Sequence, residues 1–214
     1  MNKENHELIV AFQGMAGAYS NMACEAYFPN SKTLACNSFE DMLNSTKNGT
    51  TDYSMVPVEN SLAGRVADIH HLIPDSGLFI VGEHLQRVNH QLLGLKNSNL
   101  EDLKYVKSHA QGLAQCRNFI KKQNLLPVQH VDTAGAAEEI SRLGDPSIAA
   151  IASNMSAKIY SLKVLKSNIE DAEHNTTRFL IMAKKPQVPS IKISIPVTTI
   201  IFEVRSVPAA LYKV

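Results

Sequence analysis

Short runs of branched apolar residues alternate along this chain with amphipathic stretches of helical spacing, and that alternation admits few folds. A strand followed by a helix, repeated, buries its apolar faces only as sheets flanked by helices. Leu8–Phe12, Tyr53–Val58, Leu78–Val81, Gln91–Leu95, Tyr105–Lys107, Ile148–Ile151 and Arg178–Ala183 read as strands. Helices are predicted over Tyr19–Phe28, from a Ser38–Asp41 capping box to Gly49, over Ala67–Ile73, over Gln111–Lys122, from a Thr133 cap to Gly144, and from Ser153 through Tyr160. The expected fold is α/β, with mostly parallel sheets and helices on both faces.

The chain divides naturally near residues 85–90 and returns to its first part after about 165. This gives residues 1–88 with 166–184 as one lobe and residues 89–165 as a second. A cleft between the lobes, where strand ends and helix starts converge, is the expected ligand site. Residues 185–190, with Pro186 and Pro189, read as a linker. Ile191–Val204 is strand-like, and Pro208–Val214 reads as the start of a helix that breaks off, so truncation is expected.

Composition excludes several classes. Of 214 residues 44% are apolar and 19% charged, enough for a packed core. The net charge of +1 provides no footprint for nucleic acid or an anionic membrane. No run approaches the roughly 18 apolar residues of a membrane span, and the N-terminus lacks a leader pattern. Three scattered cysteines fit a reducing, cytoplasmic setting. His6, His70, His71, His84, His90, His130 and His174 lack partners at ligand spacing, so no metal is expected and they read as solvated or hydrogen-bonded. Glu138-Glu139 and Glu170-Asp171 read as solvated faces.

Sharper information comes from Asn175-Thr176-Thr177-Arg178-Phe179. It resembles the Asn-x-Thr-Arg-Phe signature of prephenate dehydratases. Further blocks follow the same family in order: Gly14-x-x-Gly17-x-Tyr19-Ser20; Val56-Pro57-Val58-Glu59-Asn60-Ser61 with Gly64 and Val66; Ser108-His109-x-Gln111 followed by Gln115-Cys116; Asp132-Thr133-Ala134-x-Ala136-Ala137; and Ala149-Ala150-Ile151-Ala152. The resemblance spans about residues 8–183. Met15 and Ala110 stand where the family usually has proline, with small stability effects expected.

The resemblance implies a two-lobed fold like the type II periplasmic binding proteins, with the site in the cleft. It implies decarboxylating dehydration of prephenate to phenylpyruvate, water and carbon dioxide in phenylalanine biosynthesis, without a cofactor. It also implies a homo-oligomer and a C-terminal α+β ACT domain that binds phenylalanine as an allosteric ligand. Residues 191–214 resemble only the start of that domain. Pro208-Ala209-Ala210-Leu211 sits where Pro-Gly-Ala-Leu is usual, which matters if the backbone there needs a positive φ.

The chemistry needs a clamp for the pyruvyl carboxylate, a donor at the leaving hydroxyl, and a dry surround for the carboxylate that leaves. Thr177 is the implied catalytic residue, as donor or general acid; a strand-start threonine that only bonds backbone is the alternative. Arg178 offers a fork for a carboxylate but could bridge to an acid such as Glu59 instead. Asn60 and Ser61 could receive an anion or cap a helix. Ser108 and Gln111 are both a capping box and candidate ligand contacts. Ser20 and Tyr19, opening the first helix at the cleft, and Asn175 are lesser candidates for substrate contact, and Phe179 is core or a support for Thr177. Arogenate dehydration, or a binding module of the same fold without catalysis, are the alternative functions.

Overall fold

Period-two alternation on the central strands sets both faces of a first sheet. Val10, Phe12, Met55, Phe179 and Ile181 pack on one face against Ala23 and Cys24, while Ala11, Val56, Val58, Leu180 and Met182 pack on the other against Met42, Leu43 and Ile69. The structure, a computed structural model, describes residues 7–188, 197–200, 202 and 204–213. The first lobe contains β1 (Ile9–Gln13), α1 (Tyr19–Tyr27), β2 (Lys32–Cys36), α2 (Phe39–Lys47), β3 (Tyr53–Asn60), β4 (Gly64–Arg65), α3 (Ala67–Leu72) and β5 (Phe79–Arg87). The chain crosses into the second lobe with β6 (Gln91–Gly94), β7 (Tyr105–His109), α4 (Ala110–Gln115), α5 (Arg117–Lys122), β8 (Leu126–His130), α6 (Thr133–Leu143), β9 (Ile148–Ala152), α7 (Asn154–Ile159) and β10 (Lys163–Lys166). It returns as β11 (Thr176–Ala183).

The sheets run β2-β1-β3-β11-β5 and β10-β6-β9-β7-β8. Each has one strand in the middle of a parallel trio, β1 between β2 and β3, and β7 between β8 and β9. In each, the strand that has crossed from the other lobe, β11 or β6, lies antiparallel to both neighbours. The sheets are therefore mixed and not mostly parallel, because a strand arriving from the opposite lobe enters its sheet running backwards. The two lobes share one strand plan that the sequence does not display as a repeat.

Local chemistry explains most boundaries. Ser38 Oγ accepts the Asp41 N–H at 3.0 Å and opens α2, as its capping box predicts. Asp132, not Thr133, caps α6: its carboxylate accepts the Gly135 N–H at 2.6 Å. Gly144 ends that helix at φ +70°. Small residues let α6 lie close on β9, where Ala136, Ala137, Ala150 and Ala152 share one core with Ile140. The stretch predicted as one helix over Gln111–Lys122 is broken at Cys116 (φ −119°). Asp171 causes the break to persist: its N–H bonds the Gln115 carbonyl at 2.6 Å and its carboxylate caps Asn118 N–H at 3.2 Å. Residues 197–200, 202 and 204 carry no strand, and the rest of the strand expected over Ile191–Val204 lies outside the described residues. Ala210–Lys213 forms a 3-10 turn, and Ala209 before it has φ +59°.

The lobes meet at a second place, away from the crossings. The turn before α1 approaches α7: Ser153 Oγ donates to the Gly17 carbonyl at 2.5 Å, Ser156 Oγ donates to it at 3.0 Å, and the Tyr160 hydroxyl bonds Ala16 O at 2.8 Å. Gly17 has φ +89°, and a Cβ there would lie 2.6 Å from Ser156 Oγ and 2.9 Å from its Cα. Gly17→Ala is expected to cost about 2 kcal/mol or more through strain and displacement of α7. Urea unfolding checks this; an unchanged midpoint would contradict the contact.

Candidate active site

Register brings the first functional pair together. β11 places Thr177 directly opposite Asn60 at the end of β3. A bulge at Val58 shifts the register one residue further along, between Arg178 and Phe179. Pro57 lies past Met55, the last β3 residue that pairs with β1, where a missing N–H costs the sheet nothing. Thr177 and Asn60 line an interlobe cavity of about 170 Å³ together with Tyr19, His90, Gln111, Gln115 and Asn175. It adjoins a wider space of about 610 Å³ that shares Tyr19, His109, Gln111 and Thr133 and adds Ser20, Asp132 and the Gly14 turn.

A continuous line of hydrogen bonds runs behind the inner cavity. Asn60 Oδ1 accepts the backbone N–H groups of Leu62 (3.0 Å) and Ala63 (2.9 Å). Its Nδ2 therefore faces the other way, donating to Asn175 Oδ1 at 2.8 Å and to Thr177 Oγ1 at 2.9 Å. Asn175 Nδ2 donates to Gln115 Oε1 at 2.9 Å, and that oxygen also lies 2.8 Å from His90 Nε2. His90 Nδ1 in turn lies 2.9 Å from the Tyr19 hydroxyl. Because an amide oxygen only accepts, each orientation dictates the next. Thr177 Oγ1 accepts a hydrogen bond from Asn60 Nδ2, so its own proton is left to point elsewhere, and it has no protein acceptor for that proton among the described residues.

Burial tunes the ionisable groups in this line. Desolvation raises the Tyr19 phenol well above its usual range, with the thiol of Cys116 and the carboxylate of Glu170 acting in the same direction. Desolvation also lowers the pKa of His90, partly offset by its bond to Gln115 and by Glu170. Burial also raises the thiols, Cys24 to about 12 and Cys116 higher, and Cys36 at the outer part of the cleft shifts in the same direction. Among the described residues no group of three His, Cys, Asp or Glu is placed to hold a metal, and no helix is long and apolar enough to cross a membrane.

The other sequence candidates separate clearly. Gln111 lines both parts of the cleft and Ser20 the outer part. Ser108 is fully buried, and its hydroxyl donates to Ile151 O at 2.6 Å. His109 is the residue that caps α4, its Nδ1 accepting the Gln111 N–H at 3.3 Å, so the expected Ser108–Gln111 capping box is not formed. Ser61 bonds the returning crossover: its hydroxyl donates to His174 O at 2.9 Å and accepts the Thr176 N–H at 3.0 Å. Arg178 pairs with Glu83, through Nε at 3.0 Å and Nη2 at 2.7 Å, rather than with Glu59. Phe179 is core, 1% exposed. Glu170 and Asp171, read as solvated, instead hold the His90 N–H and the α5 start; Glu139 pairs with Lys107 at 2.8 Å. His90 escapes sequence reasoning because no motif marks a lone histidine; Gln115 stands in a matching block but without an assigned role.

The family described as Prephenate dehydratase matches residues 10–187. This chain belongs to the prephenate dehydratase family. It is 45% identical over 209 residues to a bifunctional N-acyl-homoserine lactone acylase/prephenate dehydratase of Komagataeibacter europaeus, covering 98% of this chain and 74% of that one. It is 38% identical to arogenate dehydratase/prephenate dehydratase 2 of Arabidopsis thaliana, covering 95% of this chain but 53% of the relative. Among solved structures, prephenate dehydratase from Arthrobacter aurescens, in complex with L-Phe, superposes with a TM-score of 0.79 at 26% identity, over 86% of this chain and 62% of that one. The chain thus spans about three quarters of the first relative and about half of the plant one.

The lowered pKa of His90 has a consequence for stability. Just below its ordinary value of 6.5, the unfolded chain binds a proton there that the folded chain does not. Stability is therefore greatest above pH 6.5 and falls as pH drops towards the depressed folded value, below which this contribution levels off. Unfolding free energies of wild type and His90→Gln, compared between about pH 5 and 8, should diverge in that sense. Parallel curves would contradict a buried, neutral His90.

Proposed function

We propose that this chain catalyses the decarboxylating dehydration of prephenate to phenylpyruvate, carbon dioxide and water, in the biosynthesis of phenylalanine. The observation that carries the reading is the Asn60–Thr177 bond, because it turns the Thr177 proton away from the protein at the wall of the cavity. In the reaction the ring C–C bond to the carboxylate breaks, its electron pair enters the ring, and the C–O bond to the hydroxyl breaks as the ring becomes aromatic. The departing oxygen takes up one proton, so the dianion consumes one proton overall. Thr177 donates its hydrogen bond to that oxygen as negative charge grows there, an interaction stronger in the transition state than in the ground state.

The lining supports the same reading. Neither part of the cleft has a lysine or arginine among its lining residues, and the fork of Arg178 is engaged by Glu83. The substrate carboxylates then meet neutral donors such as Gln111 and Ser20. A ring carboxylate without a fixed cation is free to leave, because no ion pair stabilises it in the ground state. Arg178 is placed by this reading as a support of the β11–β5 pairing, and Ser61 and Ser108 as supports of the cleft walls.

Lobe boundaries near residues 88 and 166, a cytoplasmic location and a homo-oligomer belong to the same proposal. The three cysteines, all buried and unpaired, support a reducing compartment. Exposed Phe79 and Leu85 on the edge strand β5 support self-association. Residues 191–214 are read as part of an ACT domain of the kind that takes phenylalanine. The positive φ of Ala209, where glycine is usual, supports that reading.

Incubation with prephenate at neutral pH, against a control without enzyme, should produce phenylpyruvate and carbon dioxide. Thr177→Ala should lower turnover on the order of 10²–10³-fold, while Thr177→Ser retains much of it. Equal rates for Ala and wild type would remove Thr177 from the mechanism. Arogenate is the comparison substrate, and binding of prephenate without carbon dioxide release would replace an enzyme by a binding module.

A further inference from the structure

We propose that Tyr19 and His90 are positioning residues for this reaction, holding Gln115 in place at the far end of the amide line that ends at Thr177. The inference rests on the dehydratase reading above and extends it to residues outside the signature. The direction is imposed at one end by backbone N–H groups, which cannot reverse. Leu62 and Ala63 fix Asn60 Oδ1, Asn60 Nδ2 requires an oxygen from Asn175, Asn175 Nδ2 requires an oxygen from Gln115, and that oxygen requires a proton on His90 Nε2. The neutral ring then carries an acceptor at Nδ1, and the single proton of the Tyr19 hydroxyl is shared between that nitrogen and Asn89 O, each 2.9 Å away.

His90 is held for this task. It is 2% exposed and sits on the first crossing between lobes. Its N–H donates to Glu170 Oε2 at 2.9 Å and its carbonyl accepts from Ile169 at 3.0 Å. The Tyr19 ring stands edge-on to the imidazole, with centroids 5.6 Å apart. Desolvation keeps Tyr19 protonated and favours the neutral imidazole, and Glu170 is the nearby charge opposing that second effect. The line leaves the first lobe at Tyr19, touches the second at Gln115, and returns to the first at Asn60 and Thr177. Losing the His90–Gln115 bond would release the side chain that carries the second lobe's share. Amide nitrogens keep their protons here, so the line orients groups and does not conduct protons.

Two substitutions separate the ring nitrogens. Glutamine at 90 extends a donor to the place of Nε2, whereas asparagine reaches only the place of Nδ1. With prephenate, His90→Asn should lose on the order of 10²-fold in kcat with KM little changed, and His90→Gln should recover most of that loss. Long-range proton–nitrogen NMR of the wild-type ring should find the proton on Nε2. Tyr19→Phe, which removes one oxygen, carries the test if His90→Asn does not fold: kcat should fall with KM little changed, while the ring proton stays on Nε2. Equal kcat for both His90 variants, a wild-type proton on Nδ1, or an unaltered Tyr19→Phe would overturn the positioning role while leaving the dehydratase reading intact. A wild-type protein that leaves prephenate unchanged overturns the dehydratase reading itself.

Discussion

The two stretches of chain that pass between the lobes are hydrogen-bonded to each other, and the geometry of the cleft depends on that pairing. Val88 N–H bonds Asn175 O at 2.9 Å, and Ile169 N–H bonds His90 O at 3.0 Å. Each crossing residue that matters to the cavity is therefore fixed in its backbone before its side chain makes any contact. Val88 and His90 on one crossing and Asn175 on the other line the inner cavity, while Arg87, Asn89 and Gln91 face a separate polar recess behind it. Alternation along an extended segment produces this division, since neighbouring side chains point to opposite sides.

From that frame a single polarity propagates. Two backbone donors orient one asparagine, and every later group in the line has no choice left. The result is a threonine whose lone pair is occupied and whose proton is available, set in a wall without cationic side chains. Both features suit a reaction in which negative charge appears on a departing oxygen and a carboxylate must be free to go. The contact between the Gly17 turn and α7 closes the lobes at a second point, so the cleft is bounded on two sides by protein–protein hydrogen bonds.

Much of this was legible in the residues. The βα alternation, the Ser38 cap, the Gly144 stop and the strand over Arg178–Ala183 follow from local patterns, and Asn60, Thr177 and Asn175 do meet at one cavity. Other parts were hidden for physical reasons. Edge strands β2 and β8 bury little and lack apolar alternation, so they leave no periodic signal. The break at Cys116 depends on Asp171, more than fifty residues away in sequence. Ser108 has the spacing of a cap, yet its hydroxyl is taken by Ile151 O on the neighbouring strand, a contact no local pattern encodes. His90 acquires its role only when both crossings are in place.

The central claim is that the direction of one hydrogen bond prepares Thr177 as a donor. Asn60→Asp tests it most directly, because the carboxylate keeps the acceptor for Leu62 and Ala63 but puts an oxygen where Asn60 donates to Thr177. With the fold intact by circular dichroism, the account predicts that steady-state turnover of prephenate collapses, since the Thr177 proton is drawn to the new carboxylate and away from the cavity. Wild-type turnover by Asn60→Asp would contradict it.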